Sequence, residues 1–492
     1  MFRSYLKSTI RNLWIHRSYS LINIAGLSIG LASSFIIMLY AVNEFSYDRY
    51  NDNLDNIYLV TTESPDLKWM EPSTPYVLGP ALKQQYPEIQ QCARWLPTRC
   101  SLKYKDKALD GIRCVSADST MFEVLTLPLQ AGSLQEVSAE RNNVVISNSI
   151  AHSVFGEGNP IGEVITVSWW GVPYDLKICA VMKDIPRTST FRAEMILPMH
   201  IGSTWLDKYW GNVEKNPLES WQARILQTYV SLTSSSMADQ FESKLASLSK
   251  IHADPNQTFR FHLLPLREIY FRSSSFVNNR FPSGDITNVY VYSTIAFLIL
   301  LIACINFVIL STGRASVRTK EIAVRKVIGA TRLDLIRQIM LESVSVSILS
   351  LPIALLLVEL LLPTLTQLLG KRLLASYFHS LDYFFLIAGI TLVAGILSGS
   401  YVAFYLSGFQ PMEIFRSKLS TGRSKSTLRK VMIAVQMTVF VGLIIGSLTI
   451  YEQVRYLHNK DMGFDKEDLL VLSPDNRNIG FCREKMRPGC GS

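Results

Sequence analysis

Charge is absent from four long stretches of this chain. Leu21–Val42, Ile286–Thr312, Tyr383–Leu406 and Val431–Tyr451 contain no Asp, Glu, Lys or Arg, and a fifth run, Ser343–Leu369, contains only Glu359. A bilayer crossing needs roughly 20 apolar residues, and each run is long enough. With 48% hydrophobic residues among 492, the composition excludes an ordinary soluble protein. Catalytic equipment is missing as well. No G-x-x-x-x-G-K-[ST] stretch occurs, which excludes nucleotide binding by a P-loop, and neither a dinucleotide fingerprint nor a kinase motif set is present. The seven histidines (His16, His152, His200, His252, His262, His379 and His458) form no H-x-H or H-E-x-x-H group, so no metal site is supported. No C-x-x-C pair occurs. Cys92, Cys100, Cys114 and Cys179 leave two readings open, one bridge among the first three or free buried thiols.

What is present is a net charge of +9 with an uneven distribution. Arg3, Lys7, Arg11 and Arg17 precede the first apolar run. Seven Lys/Arg lie in Arg314–Met340, between the second and third runs, against Glu321 and Asp334. Arg416, Lys418, Arg423, Lys425, Arg429 and Lys430 lie between the fourth and fifth, whereas the loop between the third and fourth has only Lys371 and Arg372. Such an alternation is not a nucleic-acid surface. By the positive-inside rule it puts the N-terminus and the basic loops in the cytoplasm and residues 43–285 outside. The first run is longer than a signal-peptide core and no small-x-small cleavage site follows it, so an uncleaved anchor is expected.

The expected fold is an α-helical membrane protein with five predicted transmembrane helices and a large α+β extracytoplasmic domain inserted between helices 1 and 2. Residues 1–20 read as an amphipathic cytoplasmic helix, with Phe2, Leu6, Ile10, Leu13 and Trp14 on one face. The expected spans are 21–42, 286–312, 343–369, 383–406 and 431–451. The extracytoplasmic domain covers 43–285, a cytoplasmic segment 313–342, a basic linker 407–430, and a second outer segment 452–492. Within the domain, Ile57–Thr62, Val164–Ser168 and Leu176–Met182 read as strands, and Gly79–Tyr86 and Ser147–Phe155 as helices.

Two local patterns stand out. Gly26, Gly30 and Ser34 recur every fourth residue, so another helix can approach the first span closely there. The same letters fit a G-x-S-x-G elbow, but that elbow needs a strand-to-helix turn and this one sits inside an apolar helix. Polar groups within spans are few. Asn23, Asn306, Glu359 and Gln436 are the candidates, and interhelical hydrogen bonding is the expected role of Asn306 and Gln436. The cytoplasmic segment splits at Gly329-Ala330. Gly329 suits a helix C′ position, and Thr331 with Asp334 suits the next N-cap. A helix-turn-helix along the inner membrane face is expected, against the plain alternative of a solvated basic loop.

These residues resemble a known family. The opening RNLWIHRSYSLINIAGLSIGLASSFIIMLYAVNEFSYDRY, the outer stretches TPYVLGPALKQQYPEI, VVISNSIAHSVFGEGNPIGEVITV and PLREIYF, and above all LIACINFVILSTGRASVRTKEIAVRKVIGATRLDLIRQIMLES are similar to ABC-transporter permeases of the macrolide-exporter (MacB-like) and FtsX-like superfamily. In the last stretch Ile305-Asn306-Phe307, Lys320-Glu321-Ile322, Arg325-Lys326-Val327 and Gly329-Ala330 carry the match. The resemblance implies a periplasmic core domain, a bacterial inner-membrane location, and a cytoplasmic coupling helix that rests on a separate ATP-binding subunit through Lys320, Glu321, Arg325, Lys326, Gly329 and Ala330. It implies no cofactor in this chain, with ATP and magnesium on the partner. A second permease copy or half, a periplasmic adaptor and membrane lipid are the other implied partners, and the chain itself is not an enzyme. Its implied work is export or mechanotransmission. The alternative is FtsX-like control of a periplasmic cell-wall hydrolase, and a membrane-anchored enzyme is a third class. Residues 428–472 repeat the basic segment and span of the N-terminus, and those from Pro474 onward fit neither family nor fold, so a two-halved permease truncated in its second half is expected.

Overall fold

The computed structural model describes residues 11, 15, 17–64, 69–139, 141–210, 216–252, 258–313, 322–369, 381–408 and 423–460. Most of the expected interfacial helix at 1–20 falls outside that set. So do Lys320, Glu321, most of the basic linker and residues 461–492. The described chain forms two compact units, one within Ser46–Ile286 and one built of long apolar helices.

The first unit is a mixed sheet with short helices. Its strands are β1 (Ile57–Ser64), β2 (Trp69–Glu71), β3 (Thr74–Pro75), β4 (Ile89–Tyr104), β5 (Lys107–Ala117), β6 (Leu129–Gly132), β7 (Asn143–Ser147), β8 (Val164–Trp169), β9 (Val172–Met182), β10 (Met195–Pro198), β11 (Arg224–Leu232) and β12 (Arg260–Pro265). The order is β12-β1-β11-β4-β5-β10-β7-β9-β6. β8 pairs with β9 and with Cys100–Lys103 of β4, which closes β4, β5, β10, β7, β9 and β8 into a ring.

Side chains alternate between faces along a strand, and the sheet uses both faces. Cys114, Val144, Ile146, Met195 and Leu197 enter one core. Their neighbours Val115, Val145 and Ile196 enter another. A third cluster joins Phe241, Leu245 and Leu248 of the helix Ala238–His252 to Tyr58, Val60 and Phe261. Local signals set the helix ends. The Ser147 hydroxyl accepts from the Ile150 N–H at 3.3 Å to start the helix Asn148–Phe155, and Gly156, at φ +64°, ends it.

The helical unit contains five helices long and apolar enough to cross a membrane among the described residues. They are the first (Arg17–Phe45), second (Ile286–Gly313), third (Arg332–Leu369), fourth (Leu381–Ser407) and fifth (Arg423–Asn459) long helices. Leu27, Leu31, Phe35 and Leu39 of the first pack with Ala303, Ala354, Val358 and Ala394 of the next three. In lipid the apolar effect does not drive such association, so close contact between small residues has to. The first helix shows both devices expected in that setting. A side chain on Gly30 would overlap the Cβ of Ala303, and Ser34 donates to the Ala296 carbonyl at 3.1 Å. On its other side Ser28 donates to the Ser350 carbonyl at 3.1 Å. The fourth helix approaches the third at Gly395 and Gly399, whose added Cβ atoms would lie 3.0 Å from Val344 Cα and 2.7 Å from Ser343 Cβ. The fifth helix differs. Phe440, Val441, Ile445 and Leu448 are exposed, and Gly442 and Gly446 face open space.

Candidate functional site

The basic segment forms a braced turn. Residues 322–327 are helical. Ala330 N–H donates to the Arg325 carbonyl at 3.0 Å and Gly329 N–H to the Lys326 carbonyl at 3.1 Å. These are the two bonds of a Schellman ending, with Gly329 at C′. Its φ of +101° is a left-handed value that a side chain resists. The next helix begins at once. Thr331 Oγ1 accepts from the Asp334 N–H at 3.3 Å, and the Asp334 carboxylate accepts from the Thr331 N–H at 3.1 Å. That is a capping box with Asp in the place of Glu.

Three cations tie this turn to the long helices. Arg325 donates to the Gln338 side chain of the third helix. Lys326 donates to the Ser407 carbonyl at 2.7 Å, and Arg332 to the Ser407 hydroxyl at 3.4 Å. Ser407 ends the fourth helix, where unpaired carbonyls and the helix dipole attract positive charge. Arg325 and Lys326, expected from the resemblance to reach a partner, are therefore half-buried and spent within the chain. Ile322 and Ala323 are buried as well, and Ile322 joins Leu335, Ile339, Val402 and Leu406 in one cluster. Apolar side chains face outward beside the exposed Thr331, Arg332 and Arg337. Val327 is 67% exposed, Ile328 80% and Leu333 62%. Lys320 and Glu321 lie outside the described residues. Sequence reading takes Val327 and Ile328 only as apolar positions before Gly329 and gives the partner contact to the charged residues around them. Their position immediately before a C′ glycine, at the tip of a turn, was the available signal.

The proposed helix-packing residues come together. Gly26, Gly30 and Ser34 face the second helix, with an added Gly26 Cβ 3.3 Å from Asn306 Nδ2. Glu359 is exposed and Gln436 half-buried.

In the sheet-bearing unit one carboxylate is fully enclosed. Asp48 is 1% exposed and sits in a left-handed turn at φ +59°. It accepts from the Thr190 N–H at 2.8 Å, Thr190 Oγ1 at 2.7 Å and Ser189 Oγ at 3.1 Å. Burial outweighs those bonds and raises its pKa to about 6. Cys92, Cys100, Cys114 and Cys179 form no disulfide with one another, and burial pushes Cys92 up to about 12. Among the described residues no three His, Cys, Asp or Glu side chains are grouped to hold a metal ion.

Residues 20–248 match the family model described as MacB-like periplasmic core domain. Residues 293–408 match the one described as FtsX-like permease C-terminal. No curated protein matches the chain. Among solved structures, the chain is similar to a domain of a permease protein from Porphyromonas gingivalis, with 18% identity over 49% of this chain and 98% of that one and a TM-score of 0.37. It is similar to the extracellular domain of the noncanonic ABC-type transporter YknZ from Gram-positive bacteria, at 18% identity, 42% and 99% coverage and TM-score 0.30. A further similarity is to the periplasmic region of MacB from Actinobacillus actinomycetemcomitans, at 18% identity, 44% and 90% coverage and TM-score 0.32. Two family matches in order along one chain, the second within the unit of apolar helices, agree with each other: the chain belongs to the MacB-like/FtsX-like permease superfamily.

Proposed function

We propose that this chain is the permease component of an ABC transporter, and that a separate ATP-binding subunit drives it through the turn at 322–331. Family membership supports the permease role. The observation that supports the coupling role is the apolar tip Val327-Ile328, exposed at its end and fixed at its base by the Arg325–Gln338 and Lys326–Ser407 bonds. A push on that tip passes to the third and fourth helices together, because one turn holds both. ATP and magnesium belong to the partner. In this reading the basic segments are cytoplasmic, the unit within Ser46–Ile286 is periplasmic, and the membrane is the bacterial inner membrane. The bare Gly442–Gly446 face of the fifth helix suits a second permease copy or half, and a periplasmic adaptor would meet the outer domain. The work done is export or mechanotransmission.

A photo-crosslinking residue at Ile328 tests this directly. The expected product is a covalent adduct with an ATP-binding subunit, identified by mass spectrometry. Adducts with lipid alone would contradict the coupling role.

A further inference from the structure

β5 and β10 run parallel and end side by side, with Ala117 opposite Pro198. After β5 the chain turns through Asp118 into the helix Met121–Val124, whose Met121 and Val124 pack in the core shared by Val115, Ala117 and Ile196. After β10 the helix Met199–Trp205 begins at once, and its Met199 and Ile201 pack in the core on the opposite face, with Cys114 and Leu197. The Ser116 hydroxyl pins that second helix, donating to the Pro198 carbonyl at 2.9 Å and accepting from the Gly202 N–H at 3.0 Å. Chains that leave neighbouring parallel strands toward opposite faces open a crevice at the carboxyl ends, the usual binding position in α/β sheets.

A cleft of about 280 Å³ occupies this place. Ala117, Phe122, Val137 and Ile196 give it an apolar wall. Arg141 is exposed at its edge, and His200 lines it as well. Burial and the Arg141 charge both hold the His200 imidazole below its usual pKa, which puts the two side chains within electrostatic reach. Asp118 does not cancel that charge, because its carboxylate already accepts from Arg94 Nε at 2.8 Å and Nη2 at 3.0 Å. Asn143 is 6% exposed. Its Nδ2 donates to the Glu136 carbonyl, while its buried Oδ1 has no hydrogen-bond partner.

We propose that this crevice binds a carboxylate with an apolar side chain, the chemistry shared by an N-acylated amino acid and the last residue of a peptide. The carboxylate faces Arg141 and His200, and the side chain fills the wall of Ala117, Phe122 and Ile196. The test is ligand-observed saturation-transfer NMR on the full chain in lipid nanodiscs. The probes are N-acetyl-leucine, N-acetyl-leucinamide and an acetylated tripeptide ending in leucine. Saturable binding of N-acetyl-leucine is expected, at least tenfold weaker for the uncharged amide and at least tenfold weaker in Arg141→Gln, a surface change that leaves the fold intact. Tighter binding of the tripeptide assigns the site to peptide ends, and equal binding assigns it to the small acid. Absence of saturable binding, or equal binding of acid and amide, or wild-type affinity in Arg141→Gln, overturns the proposal.

Discussion

Asp48 makes the sheet-bearing unit's stability depend on pH in a definite sense. Its pKa stands at about 6 in the fold against an ordinary 3.8, because burial penalises the charged form. The fold therefore holds the proton more tightly than the unfolded chain does. The stabilisation is complete below pH 3.8 and disappears as pH rises through 6, a swing of about 3 kcal/mol from this one group. The groups around it are Arg192, which opposes the shift, and Tyr50, which bonds the same Ser189. Asp48→Asn keeps an acceptor and tolerates positive φ but cannot titrate. The stability gap between wild type and Asp48→Asn, measured by thermal unfolding at pH 5 and 7.5, is expected to move against the wild type at the higher pH. A gap independent of pH contradicts the assignment. Nothing in the sequence marked Asp48, since its partners Ser189 and Thr190 lie far along the chain and only the fold encloses it.

At the scale of the element, contacts between small residues hold the helices. Gly30 leaves no room for a side chain beside Ala303, so Gly30→Leu is expected to force the first and second helices apart at a cost of about 1–3 kcal/mol. The measurement is loss of thermal stability in detergent, with Gly389→Leu, which meets open space on the fourth helix, as the neutral comparison. Equal losses in both would show that the close approach at Gly30 contributes nothing. This face was legible in the sequence because a spacing of four is itself helix geometry, and the same holds for the C′ glycine at 329 and the Thr331–Asp334 box. The strands at Ile57, Val164 and Leu176 were legible through β-branched runs bounded by turn residues. The closure of the ring by β8 was not, because it depends on which strand edges meet. Likewise the inward turn of Lys326 depends on where the fourth helix ends, at Ser407, 81 residues away in sequence.

For the whole molecule, the orientation proposed from the distribution of basic residues can be measured. A single cysteine at Glu157 in the sheet-bearing unit should react with a membrane-impermeant maleimide in spheroplasts, and one at Arg429 only after lysis. Labelling of both, or of Arg429 alone, would contradict the periplasmic placement. The family match and the apolar helices make the chain a permease subunit, and its coupling to ATP is the claim that gives the braced turn a purpose. The most direct test is affinity purification in mild detergent of wild type, Ile328→Glu and Gly329→Pro, with the bound ATPase activity measured. Ile328→Glu puts a charge on the apolar tip, and Gly329→Pro removes the N–H that bonds Lys326 and forbids φ of +101°. The account predicts an ATP-binding subunit with the wild type and at least a tenfold loss of bound ATPase activity in both variants, with insertion unchanged. Recovery of the same ATPase activity from all three proteins would contradict it.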